Sequence, residues 1–407
     1  MPNLDDYASI VGRDVIDELR FLAEKLKGKT ITNVNSTSVG GGVAEILTRM
    51  VPLLRELRVD ARWDVIKGND KFFRVTKDIH NALQGVDVEI AEDKWNYFLE
   101  VNRQNAEDID LTSDIIVIHD PQPIALVEKK RDTGNKWIWR CHIDITKPQI
   151  EAMDLLRPYI ERYDSSVFSS PKFARSDITI KKILITPSID PLSDKNKELP
   201  EATINSIVES FNIDRDRPIV TQISRFDRLK DPEGVLKVYR KVKKHIDCQL
   251  VIAGGGATDD PDGLKVLKSI RSHSEGDPNI HIIYLPPSSD IEINALQRAS
   301  TVILQKSLRE GFGLTVTEAL WKAKPVIATA VGGIPLQITH KYSGILTYSL
   351  AGTDYFLKEL LNDPEYARAL GLRGREHVRN NFLITRHIRD YMLLFLSLYH
   401  DEDLVQL

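Results

Sequence analysis

The chain is poor in cysteine, with only Cys141 and Cys248 in 407 residues. Both fall in predicted strands, far apart, so no disulfide framework is implied and a reducing compartment is expected. No apolar run approaches the roughly 20 residues that span a bilayer. The opening "MPNLDDYASIVG" lacks both a basic segment and an apolar one, so no secretory signal is read there and a cytoplasmic location without membrane attachment is expected. Basic charge is not in excess: the net charge is −4, which argues against nucleic acid as the main partner while leaving room for a local pocket that takes a small anion. Tandem repeats and low-complexity stretches are lacking as well.

What is present is an ordinary globular composition, 42% hydrophobic and 28% charged, in a chain long enough for two domains. Strand and helix patterns alternate through both halves. "TITNVNS" and "ARWDVI" read as strands, and Val43, Ile46, Leu47, Met50, Val51 and Leu54 recur between them at helical spacing. "DIIVIHD", "WIWRCHIDI" (137–145), "SSVFSS" and "KKILITP" continue the strand series, with helices expected at 70–83, at 92–105 and over "PQIEAMDLLRPYIERY", where Pro148 suits a first turn. Residues 188–216 read as a polar linker with one short helix. "PIVTQIS", "CQLVIAGG", "NIHIIYLP", "STVILQ" and "KPVIATA" then form a second series. This alternation predicts an α/β fold of two doubly wound Rossmann-like domains facing a cleft, with ligands at the carboxyl ends of the strands.

The segments following those strands carry the chemistry. In "SVGGGVAEIL", Gly40, Gly41 and Gly42 stand between strand and helix, where backbone N–H groups can approach a phosphate; a tight turn without a ligand is the alternative. The dinucleotide pattern G-x-G-x-x-G fails here, because Glu45 occupies the third glycine position, and fails again in "AGGGATDD", where Asp259 does. In "SRFDRLKDPEG", Arg225 and Lys230 lie on a strand-to-helix loop that Asp231 and Pro232 close as N-cap and first-turn proline. Two cations there suit a diphosphate, or are simply solvated loop charges.

"LREGFGLTVTEAL" places Glu310 in a glycine loop and Glu318 in the helix after it, with the N–H groups around Gly313 opening that helix. One loop and one helical carboxylate beside an anion site suit the hydroxyls of a ribose or hexose; an acid/base pair would instead flank a scissile bond. The residues alone leave this open. His119 and Asp120 end one strand, and His142 and Asp144 are expected two apart on one face of another. Hydrogen-bonded histidines, sugar contacts and a metal are the three readings, and a lone H-x-D is thin support for the metal.

In this order and spacing, Glu310…Glu318 within "EGFGLTVTEA", the "SRFDRLKDP" block and the N-terminal "GG" turn resemble the retaining GT-B glycosyltransferases, the broad group containing glycogen and sucrose synthases. "STSVGGGVAEIL", "VIHDPQP", "WRCHIDIT", "ITPSIDPLSDKN" and "QKSLREGFGLTVTEALWKAKPVIATAVGGIPLQI" are similar to the trehalose glycosyltransferring synthases and to their relatives the retaining trehalose phosphorylases, with "PSIDPLSDKN" characteristic of that pair. Arg58 departs from the pattern, since such helices commonly end in a glycine suited to a left-handed cap, and so does "HKYSGILTYS".

The resemblance implies a Rossmann-like acceptor domain over 1–205, a Rossmann-like nucleotide-sugar domain over 206–380, and a helix over 381–407 crossing back to the first. It implies transfer of glucose with retention from UDP-glucose or ADP-glucose to free glucose, giving α,α-trehalose reversibly. Catalytic roles fall to Arg225 and Lys230 (leaving diphosphate), Glu310 (donor glucose) and His119 (the reacting end of that sugar). Donor binding falls to Gly40, Gly41, Gly42, Phe312, Gly313, Leu314 and Glu318, the last on the ribose. Acceptor binding falls to Arg140, His142 and Asp144. No metal is obligatory, Mg²⁺ being compatible but not required, and a homodimer is a compatible state. A trehalose phosphorylase is the rival within the class. A non-catalytic sugar or nucleotide sensor is the rival outside it, though one would be expected to lack some of Arg225, Lys230, Glu310 and Glu318. The failed glycine patterns disfavour an oxidoreductase.

Overall fold

The computed structural model describes residues 2–39, 41–130, 134–255 and 261–399. Gly40 of the glycine turn, and Gly256 and Asp259 of "AGGGATDD", lie outside the described residues. The chain divides into two units, residues 1–187 with 384–407 and residues 188–383.

In the first unit, helix α1 (Arg13–Lys25) leads into strand β1 (Thr30–Asn35), helix α2 (Gly42–Glu56), strand β2 (Asp60–Val65), helices α3 (Asp70–Leu83) and α4 (Glu92–Asp108), strands β3 (Ile115–His119) and β4 (Lys136–Cys141), helix α5 (Ile150–Ile160), and strands β5 (Ser165–Phe168) and β6 (Lys181–Leu184). The six strands form one parallel sheet in the order β2-β1-β3-β4-β5-β6. Helices cover both faces, which is why "IIVIH" is buried along its whole length rather than alternating. One face packs Ile116, Ile118, Trp137, Trp139 and Phe168 against Phe72 and Phe98. Strand β4 stops at Cys141, so His142 and Asp144 lie in the following loop and not on a strand face. Pro148 does not take a first-turn position either: Gln149 is the N-cap and α5 begins at Ile150.

The second unit holds helix α6 (Glu201–Ser210), strand β7 (Ile219–Ile223), helix α7 (Pro232–Lys243), strand β8 (Gln249–Gly254), helix α8 (Pro261–Ser274), strand β9 (Ile280–Tyr284), helix α9 (Asp290–Ala299), strand β10 (Val302–Gln305), helix α10 (Leu314–Trp321), strand β11 (Val326–Thr329), strand β12 (Ile345–Thr347), and helices α11 (Leu350–Asn362) and α12 (Pro364–Asn381). Its sheet is again six-stranded and parallel, in the order β12-β11-β10-β7-β8-β9. Residues 188–205, expected in the first domain, group with this second unit. The physical reason is apolar: Ile204 and Val208 of α6 bury against Ile219, Ile223, Val251 and Leu296, each such side chain stabilising by roughly 2 kcal/mol. The expected linker is thus part of a folded layer. Helix α13 (Ile384–Ser397) groups with the first unit, where it contacts α1 and α2.

Candidate active site

In the second unit, β7 and β10 are adjacent and parallel, so the loops leaving their carboxyl ends emerge side by side. The first carries Arg225 and Lys230, the second Glu310. Lys230 Nζ lies 2.6 Å from Glu310 Oε2, with the two side chains only 16% and 9% exposed. The same carboxylate oxygen accepts from Ser307 Oγ at 3.0 Å. The Lys230 backbone is fixed too, since its carbonyl accepts from Gln222 Nε2 at 2.7 Å.

Next to Lys230, Asp231 takes a left-handed conformation, φ 48°, and its Oδ1 caps α7 by accepting from Gly234 N at 3.0 Å. Its other oxygen pairs with Lys306 Nζ at 2.8 Å. Neighbouring residues on one loop, Lys230 and Asp231, therefore form opposite ion pairs with Glu310 and Lys306 of the other. Arg225 is not drawn into this network. Its side chain is 64% exposed, and its nearest carboxylate is Asp227 at 3.9 Å, leaving the guanidinium available to an anion.

The Glu310 loop is shaped by glycine. Gly313 is left-handed, φ 84°, and caps α10. Gly332 has φ 54°, and a Cβ on it would fall 1.6 Å from the Glu310 carbonyl oxygen. Gly333 N donates to Gly311 O at 3.0 Å, and Gln337 Nε2 donates to Phe312 O. The Phe312 ring packs edge-on against Phe382 at 5.6 Å, so only its backbone is offered to a ligand. Helix α10 begins at Leu314, and its first N–H groups have no partner within the helix. Glu318, one turn further, is 3% exposed, and its Oε2 has no hydrogen-bond partner among the described residues. Four residues on, buried Lys322 donates to Asn196 Oδ1 at 2.9 Å and to Glu318 O at 3.2 Å. Burial lowers its ammonium pKa to about 7 against the opposing pull of Glu318.

In the first unit, β3 and β4 run parallel with His119 in register with Arg140. His119 is 3% exposed. Its Nε2 lies 3.1 Å from Asn33 Oδ1 and its Nδ1 3.0 Å from His142 Nε2, with the two rings stacked at 5.3 Å. Because Asn33 Oδ1 can only accept, His119 carries its proton on Nε2 and accepts through Nδ1 from His142. Burial, helped by the Arg140 charge, lowers the His119 pKa to about 3 and pushes His142 well below the ordinary value, so both are neutral at pH 7. Both His119 nitrogens are thus engaged within the protein, and the half-buried His142 retains Nδ1 for a ligand.

Asp120, left-handed at φ 64°, accepts from His142 N at 2.7 Å. Burial raises its pKa to about 6, opposed by that hydrogen bond and by Arg140. Arg140 is fully buried. Its Nη2 donates to Ser169 Oγ at 3.1 Å, while Nε and Nη1 meet no partner among the described residues. Asp144 does not join this group. Its carboxylate turns back onto Thr146, accepting from the backbone N at 2.9 Å and from the hydroxyl. At the glycine turn, Gly41 has φ 88° and serves as N-cap of α2, with Gly42 its first residue. Among the described residues no group of three or more His, Cys, Asp or Glu could hold a metal, and no helix is long and apolar enough to cross a membrane.

Sequence reasoning missed Asn33, Lys306, Lys322 and Asn196. Lys306 directly follows a strand and Lys322 stands four residues after Glu318 in the same helical pattern, and both could have been found by that placement; Asn33 and Asn196 have no local signal.

Two parallel six-stranded α/β units, the second bearing paired loop charges and a helical carboxylate at its strand ends, define a glycosyltransferase of the GT-B class. In fold, the chain superposes on a trehalose-6-phosphate synthase with a TM-score of 0.73 at 13% identity, covering 93% of this chain and 100% of that one. Residues 33–175 match the family "Trehalose synthase, N-terminal domain" and residues 203–377 match "Glycosyl transferases group 1". The chain belongs to the trehalose synthase family. It is 46% identical to the trehalose synthase of Thermococcus litoralis over 97% of each chain. To the trehalose phosphorylase of Pleurotus pulmonarius it is 32% identical, over 92% of this chain but 58% of that protein.

Proposed function

We propose that the protein transfers glucose from a nucleoside diphosphate glucose, UDP-glucose or ADP-glucose, to free glucose, giving α,α-trehalose with retention and running in reverse on trehalose and the nucleotide. The observation that carries this reading is the buried Lys230–Glu310 pair at the strand ends, together with the unengaged carboxylate oxygen of Glu318 in the helix that follows the same loop. Lys230 and the exposed Arg225 meet the diphosphate, Glu310 released from Lys230 takes hydroxyls of the donor glucose, and Glu318 takes those of the ribose. The N–H groups of Phe312, Gly313 and Leu314 serve phosphate or sugar. In the first unit, Gly41 and Gly42 offer N–H groups and the half-buried His142 offers a hydrogen bond to sugar, whereas Arg140, expected on the acceptor, is fully buried and does not reach a ligand directly.

As the anomeric C–O bond to phosphate breaks, negative charge grows on the leaving diphosphate. Preorganised cations there act mainly on the transition state, one such donor contributing about 2.7–4 kcal/mol. The acceptor hydroxyl attacks from the same face, and its proton passes to the leaving phosphate oxygen. With two side-chain cations for the diphosphate, no metal is obligatory.

The phosphorylase reading is favoured less, because the chain matches the synthases end to end and the phosphorylases over little more than half their length. The test is product analysis with EDTA present. Trehalose and nucleotide formed from UDP-glucose or ADP-glucose plus glucose support the proposal. Glucose 1-phosphate from trehalose and phosphate, without any nucleotide-dependent turnover, overturns it.

A further inference from the structure

The segment "PSIDPLSDKN" forms no helix or strand, yet it is held firmly. Asp190 Oδ1 accepts from Leu192 N at 2.9 Å, and Ser193 Oγ donates to Asp190 O at 2.9 Å. Helix α9 grips the loop from outside: Asn294 Nδ2 donates to Asp194 O and Lys197 O at 2.9 and 2.8 Å, and Arg298 donates to Lys197 O at 2.9 Å. The inner face is Asn196, 3% exposed. Its Nδ2 donates to Asp190 O at 3.1 Å and Ser193 Oγ at 3.2 Å, which turns Oδ1 toward Lys322 Nζ at 2.9 Å. Flipping the amide would aim its N–H groups at an ammonium, so the orientation is determined.

Lys322 and Glu318 stand four apart on one helix face, where opposite charges normally pair. Here they do not. Both are buried, Glu318 Oε2 has no partner among the described residues, and the two hydrogen-bond partners of Lys322, a carbonyl and an amide oxygen, are neutral. The arrangement is expensive for each group alone, since a buried charge is normally neutralised by a direct partner. It keeps the ammonium near the carboxylate without occupying it.

We propose that Lys322 and Asn196 are positioning residues for nucleotide binding. Asn196 anchors the Lys322 ammonium away from Glu318, so that its charge offsets the buried carboxylate while the carboxylate oxygens stay free for the vicinal hydroxyls of a nucleoside diphosphate. The inference rests on reading Glu318 as the ribose contact.

Calorimetric titration of UDP and ADP into the full chain tests it, alongside steady-state kinetics and thermal melts. Lys322→Met should weaken nucleotide binding roughly tenfold, the scale of a hydrogen bond to a charged group, and raise the donor KM by a similar factor with little change in kcat or acceptor KM. Asn196→Ala should weaken it comparably by letting Lys322 swing onto Glu318. Adding Lys322→Met to Asn196→Ala should then give much less than the sum of the two losses. A purely structural role would lower the melting temperature and leave nucleotide affinity unchanged, which overturns the proposal, as does full additivity. Should Lys322→Met not fold, the Asn196→Ala arm decides by the same criterion. Glu318→Gln separates the two layers. If it weakens binding while Lys322→Met and Asn196→Ala do not, only this inference falls. If it has no effect, the ribose reading falls and takes the inference with it.

Discussion

Lys230 and Glu310, 80 residues apart in the chain, meet at 2.6 Å on adjacent loops of one parallel sheet. Each neutralises the other while no anion is bound. Under the proposed function, a diphosphate that claims Lys230 would free Glu310 for hydroxyls, so that phosphate and sugar binding would be exchanged through one contact. Lys230→Met and Glu310→Gln should each lower kcat by about 10²–10³. Each single change also strands a largely buried charge, at a cost in stability of about 3 kcal/mol. The double variant should be more stable than the sum of the single losses allows, measured by urea unfolding as a double-mutant cycle. Strict additivity would show that the pair contributes no coupling.

Gly332 is the backbone support of that carboxylate. With φ 54° and a Cβ position 1.6 Å from the Glu310 carbonyl oxygen, alanine cannot be accommodated unless the Glu310 loop moves. Gly332→Ala should therefore reduce donor turnover at least tenfold, since small misplacements of a positioned group are costly, with the second unit still folded by circular dichroism. Wild-type kinetics with a normal melting temperature would show that the loop shifts freely.

Which parts of this were legible in the sequence follows from how far apart the partners lie. The strands around "DIIVIHD" and "PIVTQIS" announce themselves by local composition, and the loops carrying Arg225, Lys230 and Glu310, with the helix carrying Glu318, follow from strand-then-glycine or strand-then-cap patterns. The boundary at 187 was not legible, because the pull on residues 188–205 comes from apolar side chains of β7, β8 and α9 on Ile204 and from hydrogen bonds that Asn294 and Arg298 of α9 donate to the loop before it. Nor could the sequence show that His119 spends both nitrogens on Asn33 and His142, or that Asp144 caps Thr146 rather than facing a ligand. Strand adjacency and side-chain direction decide these contacts, and neither is encoded locally.

Asp120 makes a pH-dependent contribution whose sign is fixed by its raised pKa. In the unfolded chain the carboxyl ionises near 3.8, in the native state near 6. Its stabilising contribution is complete below pH 3.8 and is lost as pH rises through 6, a change of about 3 kcal/mol. Asp120→Asn keeps an oxygen to accept from His142 N and suits the left-handed conformation, while removing the ionisation. The variant should gain stability over the parent above pH 6 and lose the gain below pH 4, in urea titrations at a series of pH values. A constant difference across that range would show that Asp120 does not titrate as described.

Arg58 stands where helix α2 ends, at φ 64°. Its N–H bonds Arg55 O at 2.9 Å, and Val59 N bonds Leu54 O at 2.9 Å, the two hydrogen bonds of a Schellman cap with arginine in the position that glycine usually fills. The departure at Arg58 is therefore a residue change and not a change of geometry. A left-handed conformation costs an ordinary residue about 1–2 kcal/mol, and glycine forfeits about 0.5–1 kcal/mol of that through its freer unfolded chain. Arg58→Gly should stabilise the first unit by about 0.5 kcal/mol with kinetics unchanged, read as a shift in the urea midpoint at constant slope. A loss of stability would mean that the arginine side chain contributes more at this site than its backbone strain takes away.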